Sequence, residues 1–285
     1  MQNQTSPLIL SFGACDPVGA TGVQADLATF SALSCTGLPV TTALLIGDSA
    51  RIEDVQETDP DWVCDQARVL LEDMTMAAFK VGALTNVEQV AAIAEILSDY
   101  PDAPLILDPF SSRLPAPGDE AQEELLTVTR QLLVPQATLL MLSQVELGRL
   151  AETWREGEDG TVDADVEYLL ALGCEYVLVT GTAARAGHAD GLYANTLYGA
   201  GGRISHDPWQ HLAGPFIGAG STLSAAIAAH MARGAEAAQA VQAAQHYTQA
   251  ALAHAQRYGM GKLVPNRFFS LSAAPGAPGP SLTLD

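Results

Sequence analysis

Residues 8–46 read LILSFGACDPVGATGVQADLATFSALSCTGLPVTTALLI, and the order in which the pattern changes along them decides the fold. Leu8 to Phe12 is a short apolar run, a loop carrying Gly19 and Gly22 follows, residues 24–33 have helical spacing, and Val40 to Ile46 is apolar again. A strand that is apolar throughout needs cover on both faces, and strand–helix–strand units of this kind build parallel sheets.

The same alternation continues outward. Further β-rich runs lie at residues 78–81, 105–107, 138–142 and 176–179, and helical patterns at 60–74, 87–97, 123–133 and 162–172. Runs near 192–198 and 202–205 have no helix between them and predict an antiparallel edge. Alanine-rich helices are expected at 221–231 and 236–257, packed as a pair on the sheet. The ending SAAPGAPGPSLTLD is too rich in proline, glycine and serine to bury much surface, and no internal repeat occurs. The expectation is one domain over residues 1–269 and a tail over 270–285.

Composition narrows the function. With 33 acidic against 13 basic residues the formal charge is -20, which argues against binding a phosphate backbone through a general basic surface. Cys15, Cys35, Cys64 and Cys174 are scattered without metal or redox spacing and read as free thiols. The N-terminus carries no secretory pattern and no apolar run suits a membrane span, so a cytoplasmic protein is expected, with a small-molecule substrate and neither nucleic acid nor membrane as partner.

In open parallel sheets, ligands gather beyond the carboxyl ends of the strands. That rule selects Asp16 with the Gly19 to Gly22 loop, Gly47 and Asp48, Gly82, Asp108, Ser143 to Glu146, and Thr180 with Gly181. A second glycine turn, Gly218-Ala219-Gly220-Ser221, opens one of the late helices, where unpaired amides suit a phosphoryl group. Without a lysine behind the last glycine it is no Walker loop. An ordinary helix start capped by Ser221 or Thr222 explains the same residues. Asp108 equally suits a metal site or a carboxylate that ties loop amides. Ser143 and Glu146 suit either a ligand pair or a capping box, and Asp26, one turn inside the first helix, either contacts substrate or complements the dipole.

Together DPVGATGVQADLATFSALSCTGLPVTTAL, FKVGAL, LILDP, LLALGCEYVLVTG and GAGSTLSAAIAAHMARG, in this order, resemble the hydroxymethylpyrimidine and phosphomethylpyrimidine kinases of thiamine biosynthesis, close to pyridoxal kinases in the ribokinase superfamily. The resemblance implies an α/β ribokinase-like, three-layer fold with a central, mostly parallel sheet and helices on both faces. It implies a homodimer that uses ATP and Mg2+ to phosphorylate the hydroxymethyl group of an aminopyrimidine or its monophosphate. By resemblance, Ala14, Asp26, Gly47 and Ala83 fall on substrate-binding positions, and Ser143, Thr180 and Gly181 on nucleotide-binding positions. Asp108 and Glu146 fall on metal and phosphate positions, and Gly218, Ala219, Gly220 and Ser221 on the catalytic anion hole and base.

The departures from the family pattern cluster at these positions. The family usually has cysteine at Ser221, glutamine and asparagine at Gly47 and Asp48, methionine at Ala83, asparagine at Ser143 and lysine at Thr180. Serine-glycine-glycine is usual at Val18-Gly19-Ala20, and the loop after Phe110 lacks the expected lysine-serine-glycine. A serine hydroxyl needs another group to take its proton, so Ser221 is expected to position the acceptor hydroxyl rather than deprotonate it strongly. Two other outcomes fit the same departures: a ligand-binding or regulatory relative whose catalysis has degraded, or a kinase for a related substrate such as pyridoxal.

Overall fold

The computed structural model describes residues 6–111, 113–114, 119–152, 161–183, 193–209 and 212–272. Its strands are β1 Leu8–Cys15, β2 Thr36–Gly47, β3 Ile52–Glu57, β4 Ala78–Val81, β5 Leu105–Leu107, β6 Leu139–Ser143, β7 Tyr176–Ala183, β8 Tyr193–Gly199 and β9 Gly202–Trp209. Its helices are α1 Gly22–Ala32, α2 Pro60–Asp73, α3 Val87–Ser98, α4 Asp119–Leu132, α5 Gln144–Glu152, α6 Val162–Ala171, α7 Ala219–Ala232, α8 Ala237–Ala253 and α9 Phe269–Ser272. One sheet takes all nine strands in the order β3-β2-β1-β4-β5-β6-β7-β8-β9. From β2 to β7 neighbours are parallel, and the antiparallel pairings lie at the two edges.

Successive strand residues feed opposite layers, as the two-residue period requires. Leu10, Phe12, Leu107, Leu140 and Val177 join the core shared with α2 to α6, whereas Ile9, Ile106, Leu139 and Leu178 join the core shared with α1, α7 and α8. Phe12, Phe30 and Phe79 are fully buried, each contributing about 2 kcal/mol of apolar burial. In α7, residues 222–229 are buried all round, and its small side chains let the helix lie close to the sheet. Among the described residues no helix is long and apolar enough to cross a membrane.

The expected alternation is present, with differences at the edges. β3 has no counterpart among the predicted strands, because three carboxylates crowd IEDVQE. It forms as an exposed edge strand, where charge blocks pairing with other chains. The helix expected over 236–257 stops at Ala253, since Gln256 turns away to pair with Val264. Residues 270–272, expected to begin the tail, belong to α9, while residues 273–285 and the predicted strand start at Leu192 lie outside the described residues.

One charge pair sits inside the layer between sheet and helices. Lys80 of β4 places its ammonium 2.9 Å from Asp26 Oδ1 and 3.0 Å from Oδ2, and Ser11 Oγ donates to Oδ2 at 2.7 Å. Both charged side chains are sealed from solvent. Removing one partner of such a pair leaves the other charge buried alone, so Asp26→Ala should cost about 3–5 kcal/mol of stability. Urea unfolding measures it, and an unchanged midpoint would contradict the burial described.

Candidate active site

The helix α7 begins without a side-chain cap. Gly218 stands at its N-cap with φ 86°, a left-handed conformation favoured by glycine, and neither Ser221 nor Thr222 caps the helix. The first intrahelical amide bond runs from Thr222 N to the Gly218 carbonyl at 3.0 Å. The amides of residues 219–221 therefore precede the helical ladder and lie at its positive end. Crowding fixes the turn, because a Cβ on Gly218 would fall 1.9 Å from the Ala20 carbonyl oxygen.

This turn is a wall between two spaces. On one side lies a cavity of ≈ 400 Å³, lined by Ala219 and Gly220 together with Thr180, Gly181, Asn195 and Leu223. On the other side Ser221 lines a crevice with Ala14, Lys80, Ala83 and Asp108. That crevice, which Phe110 and Leu114 also line, has only ≈ 20 Å³ free. Both side chains also border a neighbouring cavity of ≈ 490 Å³ with an apolar lining that includes Leu84, Leu107 and Leu125.

Asp108 follows β5 and is the most perturbed carboxyl in the site. Burial pushes its pKa up to about 6, against the opposing pull of Lys80 and of the Ser224 hydroxyl, which donates to Oδ2 at 2.8 Å. The charges of Glu146 and Asp26 push it further in the same direction. Glu146 Oε2 accepts from Ser143 N at 2.7 Å, and Ser143 Oγ accepts from Glu146 N at 3.3 Å, which is a reciprocal capping box at the start of α5. The box engages Glu146 through Oε2 and Ser224 engages Asp108 through Oδ2, so each carboxylate has its second oxygen outside these bonds, one in the first turn of α5 and one after β5.

The remaining predicted residues are distributed unevenly. Ala14, Ala83 and Ser221 share the crevice, and Thr180 and Gly181 share the ≈ 400 Å³ cavity with Ala219 and Gly220. Asp26 lies beneath the crevice floor in its pair with Lys80 and lines neither space. Gly47 also lines neither; a Cβ there would fall 2.5 Å from the Arg51 carbonyl oxygen, so the tight β2–β3 connection demands glycine. Asp48 organises that connection, with Oδ1 accepting from Ala50 N at 2.7 Å and Arg51 N at 2.9 Å, bonds that lower its pKa.

Asp16 is likewise an organiser. Its carboxylate accepts from Val18 N, Thr21 N and Thr21 Oγ1, and it meets Arg113 Nη2 at 3.2 Å with both side chains buried. Arg113 thereby ties the loop after β5 to the loop after β1. Arg267 makes a second tie: Nη1 donates to the Gly19 carbonyl at 2.9 Å, Nη2 to the Ala20 carbonyl at 2.7 Å, and Nε to Thr222 Oγ1 at 3.1 Å. Sequence reasoning missed both arginines. The scarcity of cations was the available signal for them, since burying any of 13 basic side chains in so acidic a chain demands a reason.

Residues 16–266 match the family model described as phosphomethylpyrimidine kinase. A hydroxymethylpyrimidine/phosphomethylpyrimidine kinase of Salmonella typhimurium is 31% identical over 260 residues, covering 89% of this chain and 93% of that relative. A protein of the same name from Synechococcus elongatus is 31% identical over 269 residues, covering 93% of this chain and 98% of the relative. Among solved structures, an ADP complex of Bacillus subtilis pyridoxal kinase superposes with a TM-score of 0.81 at 24% identity, over 93% of this chain and 99% of that one. A phosphomethylpyrimidine kinase from Clostridium difficile gives 0.68 at 26% identity, over 85% and 98%. The architecture is thus ribokinase-like.

The raised pKa of Asp108 has a thermodynamic consequence. The unfolded chain loses this proton near 3.8 and the folded chain near 6, so stability falls as pH rises through that window and stays reduced above it. Asp108→Asn stays neutral throughout. It should raise ligand-free stability by about 3 kcal/mol near neutrality and by little near pH 4. Thermal melts at the two pH values test this, and equal effects at both would refute the burial argument.

Proposed function

The chain belongs to the phosphomethylpyrimidine kinase family, and from that premise we propose that it moves the γ-phosphoryl group of ATP to the hydroxymethyl group of an aminopyrimidine or its monophosphate. The observation that carries the reading is the uncapped turn at Gly218, whose amides stand between a nucleotide-sized cavity and a crevice holding Ser221, Lys80 and Asp108. A volume of ≈ 400 Å³ lies within the usual range for small-molecule sites.

In this reading the donor occupies the cavity bordered by Thr180 and Gly181, with its phosphates directed at residues 218–221. Transfer requires little covalent help from the protein, and donors already aimed at the migrating charge supply most of the stabilisation. Ser221 orients the acceptor oxygen. Asp108 and Glu146 would hold Mg2+, which takes one or two carboxylates beside phosphate oxygens and, when bound, neutralises phosphate charge. Entry of an acceptor ring requires Phe110 and Leu114 to shift, and the ≈ 490 Å³ cavity beside them supplies the space.

The proposal extends to a single kinase domain over residues 1–269, a cytoplasmic homodimer, and a place in thiamine biosynthesis. The narrow crevice favours one competing reading, a ligand-binding relative without turnover. A coupled assay with Mg-ATP and hydroxymethylpyrimidine, its monophosphate or pyridoxal separates the two: nucleotide binding without turnover on any acceptor would select the binder. In the kinase, Gly220→Asp sets a carboxylate against the phosphoryl path and should lower kcat at least about 100-fold. Ser221→Ala should lower it about tenfold if orientation is its role. Unchanged turnover in Ser221→Ala would remove that role.

A further inference from the structure

Arg267 is buried to 5% exposure, and among the described residues it forms no ion pair with a carboxylate. Every donor bond recorded for it goes to the site's framework: two backbone carbonyls in the loop after β1 and one hydroxyl in the first turn of α7. Thr222 Oγ1 in turn donates to the Gly218 carbonyl at 2.7 Å. A Cβ on Gly218 would lie 3.2 Å from Arg267 Nη2, so the guanidinium packs directly behind the turn. Tyr247 Oη donates to the Arg267 carbonyl at 2.7 Å, fastening the arginine's own backbone to α8.

Burying an unpaired guanidinium is costly, and desolvation lowers its pKa, although an arginine keeps its charge. A methionine or leucine would pack a helix against a loop without that cost. What the planar fork provides is a fixed distance and orientation between two segments, the wall itself and the loop after β1. We propose that Arg267 is a positioning residue that locks the turn at Gly218 to the loop at Gly19 and Ala20, so that the phosphoryl-binding amides and the acceptor-side backbone move as one body.

The activity arm of the test rests on the kinase reading, and hydrogen exchange is independent of it. In the full-length ligand-free protein, Arg267→Met should speed amide exchange at least about tenfold in both 18–22 and 222–224, with the interior of α8 unchanged. If either segment keeps wild-type protection, the lock does not exist, whether or not the wild type turns over. Should Arg267→Met fail to fold, Thr222→Val removes one arm of the fork and is expected to loosen the same two segments. With turnover, Arg267→Met should lose about 100-fold in kcat while KM for each ligand stays within about threefold. Arg267→Lys keeps the charge and loses the fork, so it should remain at least about tenfold below wild type. Wild-type kcat in Arg267→Lys would overturn the proposal.

Discussion

Gly218 approaches the Ala20 carbonyl so closely that no side-chain atom fits between them. That contact sets where α7 begins, and where α7 begins decides which amides are free. It also decides which layer of the molecule those amides serve. Residues 222–229 are buried on every side, so the helix cannot slide to relieve a poor start. The loop after β1 is held from the other direction, by the positive-φ glycines at 19 and 22 and by the four bonds converging on Asp16. Two rigid segments meeting at a point without slack form the frame of the site.

The electrostatics work against the chain's overall character. A net charge of -20 repels nucleotides at long range, although screening confines that repulsion to about 8 Å at physiological salt. Inside the site the excess disappears: Lys80, Arg113 and Arg267 are buried beside Asp16, Asp26 and Asp108, while the acidic residues of α2 and β3 and Glu120, Glu123 and Glu124 of α4 face outward. The local field at the turn is set by these desolvated charges and a helix end. At Asp108, desolvation outweighs the pull of Lys80 and the Ser224 hydroxyl, and its pKa is raised.

Much of this was legible in the sequence, and the limits are physical. The bounds of Ala78–Val81 and Leu105–Leu107 could be read to the residue because both strands are buried along their whole length, with Lys80 the one charge among them and matched by Asp26. β3 could not, since an edge strand answers to solvent and its charges imitate a loop. The glycine turn at 218–221 was legible as a helix start, but whether Ser221 capped it depended on backbone angles that spacing does not encode. Gly47 was selected by its place at a strand end and Asp26 by its place in the first helix, with the resemblance adding a substrate-binding role to both, and the structure gives each a local structural task. Arg113 and Arg267 reach across roughly 100 and 250 residues of chain to their partners, and no short motif records contacts at that range.

The wall between the two spaces contributes main-chain atoms, with Ala219 and Gly220 toward one compartment and Ser221 toward the other. A partition made of backbone carries no chemical preference of its own. Residues that choose the donor and residues that choose the acceptor can then diverge separately, each compartment being refitted without disturbing its neighbour. Such independence would let one scaffold acquire new alcohols over evolutionary time while conserving a single way of gripping the group it transfers.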